Sequence, residues 1–195
     1  MFDLGGVLID WDPRHLYRKV FDDAAEMEWF LAEVCSPEWN RQQDAGRPFA
    51  EAVAAKQAEH PNCREAIAAY FERWPEMLGG VNEDTLEVLR AVRATGRRFY
   101  ALTNWSHETF PVARRRYEFL SWFHGIVVSG EERLAKPDGK IFQRLLGRYA
   151  LVPSRTVFID DSRANVESAI DQGMIGLHFT DAATLRGDLL RLGVV

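Results

Sequence analysis

The residues of this chain most suited to chemistry begin at its first turn, residues 2–8, with the sequence FDLGGVL. A carboxylate held where a short strand gives way to a glycine-rich turn can attack an electrophile while backbone groups approach the same centre. Asp3 is therefore a candidate nucleophile. Two positions later the chain has Gly5, which has no side chain to carry a proton. The turn thus supplies a nucleophile without a neighbouring acid.

Further polar residues follow three later apolar runs of the chain. They are Thr103 and Asn104 after residues 99–102, Lys136 in the loop after residues 125–129, and Asp160 and Asp161 after residues 156–159. In an open parallel sheet, ligands bind beyond the carboxyl ends of the strands. If the apolar runs are parallel strands, this topology brings a hydroxyl, an amide, an ammonium and two carboxylates to the nucleophile.

This set of side chains is typical of phosphoryl transfer. Asp3 would attack phosphorus and form an aspartyl-phosphate. Asp3 and Asp161, with Asp160 beside them, would hold Mg²⁺, a hard ion that binds oxygen ligands. Lys136 would balance the developing negative charge, and the Thr103 hydroxyl would hold phosphate oxygens. Each residue alone is ordinary in a turn, cap or solvated loop, and it is their order at successive strand ends that carries the prediction.

The elements that must position these residues alternate between strands and helices. Periodicity and turn signals predict strands at 99–102, 125–129, 156–159 and 175–179, and helices at 84–95, 110–120, 141–149 and 165–172. The alternation predicts an α/β fold with a Rossmann-like parallel sheet covered by helices on both faces. The segment from Pro13 to Gly79 is expected to be helical throughout. This places a helical cap at 13–79, inserted into a core formed by 1–12 and 80–195.

Composition and charge exclude several classes of partner. A formal net charge of −5 gives no basic footprint for nucleic acid, and no apolar run approaches the length of a membrane span. Cys35 and Cys63 lack metal-ligand spacing, and no secretory signal is visible, so we expect free thiols in a reducing cytoplasm. Only Met1 and Phe2 precede Asp3, whereas a buried strand usually has ~5–6 residues. We therefore expect that a natural upstream segment precedes Met1.

The order of these motifs resembles the haloacid dehalogenase-like hydrolase superfamily, which spans phosphatases and 2-haloacid dehalogenases. Four stretches carry the resemblance over nearly the whole chain: residues 2–8, 102–104, 136–142 and 158–165. The resemblance implies a helical cap after the first motif. It also implies that Asp3 is the nucleophile. The Mg²⁺ ligands would be Asp3, the Gly5 carbonyl and Asp161, with Asp160 beside them. The residues that bind phosphate would be Thr103, Asn104 and Lys136.

The chain departs from this family pattern at Gly5. In typical phosphatases of the superfamily this position is a second Asp, which protonates the leaving oxygen and later activates water, work that contributes about 10²–10⁴-fold. Gly5 cannot do this, although its carbonyl can still bind a metal. Asp10 and Asp12 are near enough in sequence to stand in for the missing acid, but a turn or cap role is the more ordinary expectation for both.

Three functions follow from these observations. The leading prediction is a Mg²⁺-dependent phosphatase acting on a small phosphorylated metabolite. A 2-haloacid dehalogenase is the alternative that Gly5 favours, because its aspartate attacks carbon without a second acid. That chemistry needs no metal, however, so Asp160 and Asp161 would place uncompensated negative charge beside an anionic nucleophile. The third possibility is a binding or regulatory member with weak activity, since fold does not fix function.

Overall fold

The central sheet of the protein is built around the first residues of the chain. In the computed structural model, which describes residues 1–195, Phe2 bridges in parallel to Ala101 on one side and to Ile159 on the other. The Asp3 N–H donates to the Ile159 carbonyl at 2.8 Å. Asp3 therefore leaves the middle of the sheet at the carboxyl ends of its neighbours.

The strands are short and fall into three pairs. In chain order they are β1 (Ile9–Trp11), β2 (Leu78–Val81), β3 (Ala101–Thr103), β4 (Ile126–Val128), β5 (Val157–Asp160) and β6 (Ile175–His178). Strands β3 and β4 pair in parallel, as do β5 and β6, and the amino-terminal segment joins β3 to β5. The order β4, β3, amino-terminal segment, β5, β6 confirms the predicted Rossmann-like α/β fold.

Helices separate these strands along the chain. Five lie between β1 and β2: α1 (Arg14–Tyr17), α2 (Ala24–Trp29), α3 (Pro37–Asp44), α4 (Phe49–Glu59) and α5 (Arg64–Glu72). The others are α6 (Glu83–Ala94), α7 (Phe110–Arg116), α8 (Ser129–Glu132), α9 (Gly139–Arg148), α10 (Arg163–Asp171) and α11 (Ala182–Arg191). One π-helical turn, Phe30–Val34, and four 3₁₀ turns, Pro61–Cys63, Trp74–Met77, Glu118–Trp122 and Pro153–Arg155, complete the structure.

The residues between β1 and β2, 12–77, form what we call the helical block. Its interior is aromatic: the ring of Tyr70 lies 4.9 Å from that of Trp39, and the rings of Tyr17 and Phe30 are also 4.9 Å apart. Such pairs contribute about 0.5–1.5 kcal/mol each beyond their burial. The same buried apolar cluster continues into the sheet through Phe2 and Ile159. The helical block is therefore packed onto the strands rather than joined to them by linkers alone.

Helix α3 matters most for the site, and local chemistry explains where it begins. The Ser36 side chain accepts a hydrogen bond from the Trp39 N–H at 3.2 Å, and Pro37 occupies the first turn. A serine cap followed by proline is a favourable helix start, since it satisfies a free N–H and fixes φ. The helix ends at Asp44, just before Gly46, whose φ is +101°.

The prediction that residues 13–79 are helical throughout was wrong at its carboxyl end. Residues 78–81 form β2, which runs antiparallel to β1 with Ile9 opposite Val81 and Asp10 opposite Gly80. The adjacent Gly79 and Gly80 indicate that the helix ends there. They do not indicate a strand, because its partner β1 lies far away in sequence.

Several element boundaries also differ from the prediction. The helix predicted to Leu120 ends at Arg116, and a 3₁₀ turn takes over from Glu118. The strand predicted to Ser129 ends at Val128, because Ser129 already begins α8. Helices α8 and α11 had no counterpart in the prediction, whereas α3 lies within the segment that was expected to be helical. Both cysteines are free thiols, and none of the helices is long and apolar enough to cross a membrane.

Candidate active site

Lys136 is a buried ammonium group held between two carboxylates. Its Nζ lies 2.9 Å from Oδ1 of Asp3 and 2.6 Å from Oδ2 of Asp160, and it donates to the Leu102 carbonyl at 3.0 Å. Burial acts to lower the pKa of Lys136, but the attraction of both carboxylates outweighs burial, so the pKa is raised. Lys136 therefore keeps its positive charge inside the protein and links the amino-terminal segment to the end of β5.

Asp3 has one oxygen engaged and one left for chemistry. Its Oδ1 accepts hydrogen bonds from the Leu4 N–H at 2.7 Å and from Lys136. Burial raises the pKa of Asp3 above its ordinary value; Lys136 opposes the rise and the nearby Asp160 carboxylate adds to it. A cation beside the carboxylate would favour the ionised form. The geometry thus leaves Oδ2 of Asp3 as the atom available to attack an electrophile.

Asp160 and Asp161 are neighbours in sequence but have different surroundings. Asp160 is fully buried, and its Oδ1 accepts from the Ser162 N–H and from Asn165 Nδ2, both at 2.9 Å, while its Oδ2 accepts from Lys136. Asp161 is more exposed and its carboxylate lies over Gly6, where a Cβ would collide with it. Both carboxylate oxygens of Asp160 are therefore engaged in hydrogen bonds within the protein, whereas Asp161 is exposed.

The carboxylates of Asp3, Asp160 and Asp161 can offer a common ligand set. One oxygen from each residue lies within 4.8 Å of the others. The pKa of Asp161 is raised by burial and then by the charge of Asp160, which shows that negative charge is crowded here. Oxygen donors in such a cluster fit a hard divalent cation, and Mg²⁺ is commonly bound through one or two carboxylates.

Thr103 and Asn104 follow β3 and have distinct roles in the geometry. The Thr103 hydroxyl is buried and has no hydrogen-bond partner in the protein. Since buried polar groups are rarely left unpaired, the hydroxyl suits an anion at this edge of the sheet. Asn104 instead holds the backbone of Lys136 through two hydrogen bonds. Its Oδ1 accepts from the Lys136 N–H at 2.8 Å, and its Nδ2 donates to the Lys136 carbonyl at 2.9 Å. The sequence analysis did not anticipate this positioning contact.

A small cavity of about 60 Å³ lies beside Gly5, between the strand ends and the helical block. Its lining residues come from both regions: Gly5, Trp11, Asn40, Asp44, Trp74, Asn104 and Trp105. The rings of Trp74 and Trp105 lie 5.5 Å apart and close one side. Asp44 was missed by the sequence analysis. Its spacing from Asn40 places both on one helix face, but no local pattern tells which way that face points.

Asp10 and Asp12, the sequence candidates for the missing acid, do not line this cavity. Asp10 Oδ2 lies 2.9 Å from Nε2 of His15, and Asp12 Oδ1 accepts the Arg14 N–H at 2.9 Å at the start of α1. Both therefore have local structural partners. A larger cavity of about 440 Å³ lies at the amino ends of the strands, beside Tyr100 and Val157, away from the carboxylates.

Comparison with known proteins agrees with this arrangement. The family model for haloacid dehalogenase-like hydrolases matches residues 1–173. A sesquiterpene phosphatase of Aspergillus oryzae is 26% identical over 201 aligned residues, covering 98% of this chain and 94% of that protein.

Solved structures share the fold over almost their whole length. A predicted hydrolase of this type from Porphyromonas gingivalis has a TM-score of 0.72 at 20% identity and covers 98% of this chain and 95% of its own. A family enzyme from Bacteroides thetaiotaomicron, solved with magnesium and inorganic phosphate, has a TM-score of 0.69 at 22% identity, covering 94% and 96%. The matched span contains every strand end described above except β6, and the chain belongs to the haloacid dehalogenase-like hydrolase family.

Proposed function

We propose that this protein is a Mg²⁺-dependent phosphatase that acts on a small phosphorylated metabolite through an aspartyl-phosphate on Asp3. The observation that carries the proposal is the cluster of three carboxylate oxygens within 4.8 Å of one another. The buried Lys136 and the unpartnered Thr103 hydroxyl flank that cluster. The sesquiterpene phosphatase similar over most of the chain supports the same class of reaction.

In the first step, Oδ2 of Asp3 attacks phosphorus, and the bond from phosphorus to the leaving oxygen breaks. Lys136 lies against the other oxygen of Asp3 and holds the carboxylate in place. Its charge also offsets negative charge that develops on the phosphoryl group. The Thr103 hydroxyl donates to a phosphoryl oxygen, which gives this buried group the partner that the protein does not provide. Asn104 acts indirectly by fixing the Lys136 backbone.

Asp3, the Gly5 carbonyl and Asp161 would hold the Mg²⁺, with Asp160 supporting them from behind through Lys136 and Asn165. When bound, the ion neutralises charge between the nucleophile and the phosphate. Asp161 is the better direct ligand of the two acids, because its neighbour Asp160 already has both oxygens in protein hydrogen bonds.

As a further part of the proposal, residues 13–79 form a cap over this site. The cap is inserted into a core formed by residues 1–12 and 80–195. Asn40, Asp44 and Trp74 of the helical block line the cavity beside Gly5. A cover of this kind excludes water while the aspartyl-phosphate forms, and its side chains contact the substrate's leaving group.

A 2-haloacid dehalogenase is a second candidate, and Gly5 is the observation that favours it, because displacing a halide needs no acid at that position. The carboxylate cluster weighs against it. Without a metal ion, Asp160 and Asp161 would add negative charge beside Asp3 and an anionic substrate, and Lys136 is the single cation that offsets it. A phosphatase with Mg²⁺ accounts for the cluster, whereas the dehalogenase does not.

The test is to assay a panel of phosphate monoesters and 2-chloropropionate, with Mg²⁺ and with a chelator, using the wild-type protein and Asp3→Asn. We expect phosphate release that requires Mg²⁺ and is lost in Asp3→Asn. Chloride release without metal would replace the proposal with the dehalogenase. A folded protein that turns over neither class of substrate would favour a binding or regulatory role.

A further inference from the structure

The proposed phosphatase reaction leaves one proton unassigned. The leaving oxygen must gain a proton when its bond to phosphorus breaks, and the attacking water must later lose one. The cavity beside Gly5 is lined on the sheet side by Gly5, two residues after Asp3, and by Asn104, which holds the Lys136 backbone, so it adjoins the residues proposed to bind the phosphoryl group. Among the residues that line it, Asp44 is the one carboxyl group.

Asp44 is held at this position from two directions. Asn40 Nδ2, one turn earlier on α3, donates to Asp44 Oδ2 at 2.9 Å. The Asp44 carbonyl accepts a hydrogen bond from Ser129 Oγ at 2.5 Å, and the same hydroxyl accepts from the Trp105 N–H at 2.8 Å. The end of α3 is thus fixed against the residue that follows β4. The orientation of the Asp44 carboxyl group is therefore set by contacts within the protein.

Burial and the neighbouring groups act on the ionisation of Asp44 in opposite directions. Burial raises the pKa of Asp44 to about 7, while a hydrogen bond from the Ser106 backbone and the charges of Arg41 and Lys136 act in the opposite direction. A group with a pKa near the working pH can both donate and accept a proton efficiently. Arg41 itself pairs with Glu38 at 2.8 Å, so its charge is partly shared.

We propose that Asp44, which belongs to the helical block, is the general acid and base of this phosphatase. It performs the role that Gly5 cannot perform. This inference rests on the proposed phosphatase function. In the first step, the electron pair of the breaking bond goes to the leaving oxygen, which takes the Asp44 proton and departs as an alcohol. In the second, water attacks the aspartyl-phosphate and gives its proton to Asp44. The bond between phosphorus and Asp3 breaks, releasing inorganic phosphate, and both carboxyl groups return to their starting states.

One consequence distinguishes this arrangement from an acid on the first turn. The nucleophile belongs to the sheet and the acid to the helical block, so the complete set exists only when α3 rests on the strand ends. Protonation is thereby linked to coverage of the cavity by Trp74 and Trp105, which limits contact with water.

The test compares two substrates in wild-type protein, Asp44→Asn and a control, Asp12→Asn, with Mg²⁺ present. The control removes a carboxylate that lies near the site in sequence but outside the cavity. For an alkyl phosphate, whose leaving group needs a proton, kcat of Asp44→Asn should fall about 10²–10⁴-fold. For p-nitrophenyl phosphate, whose leaving group needs none, the first step should be nearly unaffected. The second step still lacks its base, so nitrophenol should appear in a burst of about one equivalent per enzyme.

The ratio of the two substrates' rate constants does not depend on the folded fraction, and a burst of any size shows that the first step outruns the second. The test therefore stays decisive even if part of the variant is misfolded. Equal losses on both substrates without a burst would overturn the role of Asp44, as would full activity of Asp44→Asn. In both cases the Mg²⁺-dependent, Asp3-dependent activity of the wild-type protein would leave the phosphatase proposal standing. A wild-type protein without phosphatase activity would overturn both.

Discussion

The two sides of the cavity beside Gly5 are built in opposite ways. On the sheet side, Lys136 is fixed by two carboxylates and a backbone carbonyl, and its backbone is gripped by Asn104. On the helical side, Asp44 has one side-chain hydrogen-bond partner, Asn40, and a backbone hydrogen bond from Ser106, in a cavity that is also lined by tryptophan rings. Carboxylates are paired with a lysine on the first side, whereas Asp44 forms no ion pair on the second.

This difference indicates a division of labour. A nucleophile and its counter-charge must hold one geometry throughout the reaction, and a buried network with matched partners provides that rigidity. A group that exchanges protons must instead be stable in both of its forms. The difference is consistent with the proposal, in which the strand ends bind and attack the phosphoryl group and the helical block transfers the proton.

The largest expected effect is at the nucleophile. Asp3→Asn should lower phosphate release by at least about 10⁴-fold, because the amide cannot form the covalent intermediate. Lys136 keeps its contact with Asp160 in this variant, so the folded state should survive. Activity and circular dichroism measured on the same preparation check the claim. Substantial residual activity in the folded variant would mean that another group attacks phosphorus, and the division between the two sides would fail.

The next effect concerns the charge balance on the sheet side. Lys136→Met should lower the free energy of unfolding by about 3–5 kcal/mol, since it leaves the Asp3 and Asp160 carboxylates buried without their cation. Urea denaturation without metal provides the measurement. Added Mg²⁺ should recover part of the loss by binding the freed carboxylates. A loss below about 1 kcal/mol, the range of an exposed pair, would show that the network is not the rigid element of the site.

The sequence predicted the sheet side far better than the helical side. Asp3, Thr103, Lys136 and Asp160 follow apolar runs, and parallel strands bring their carboxyl ends together whatever the details of packing. Asp44 follows no strand. Its place depends on how α3 packs, and that is settled by contacts distant in sequence, such as the bond from Ser129.

The hairpin of β1 with β2 escaped prediction for the same reason. Its two strands are separated by the whole helical block, and the Gly79-Gly80 pair gave only a signal that helix ends there. The local sequence pattern thus predicts the strands of the parallel sheet, because the rule for parallel sheets says which strand ends come together. It does not define elements whose neighbours are set by side-chain packing.

A smaller effect separates the two glycines of the first turn. Gly6 has a φ of +74° and a Cβ there would collide with the Asp161 carboxylate, whereas a Cβ on Gly5 meets nothing within 4 Å. Gly6→Ala should therefore cost about 1–2 kcal/mol in unfolding free energy and weaken Mg²⁺ binding. Its matched control, Gly5→Ala, should be neutral or stabilising by up to about 1 kcal/mol. Urea denaturation and isothermal titration with Mg²⁺ give both quantities. Equal stability of the two variants would show that Asp161 moves away at no cost.

The smallest effect is on the helical side and depends on pH. Burial raises the pKa of Asp44 from 3.8 to about 7, so between these values the folded chain keeps a proton that the unfolded chain releases. Its contribution to stability therefore declines as pH rises through this window. Asp44→Asn has no proton to lose, so its stability relative to wild type should increase with pH.

We expect that relative gain to reach about 1 kcal/mol near neutral pH, well below the full value of the shift, because Asp44 is partly exposed. Urea denaturation of both proteins at matched pH values without metal gives the difference, in which contributions from Asp3 cancel. Parallel curves would show that Asp44 is ionised throughout the window. The contrast between the two sides of the cavity would then no longer explain how the site moves a proton.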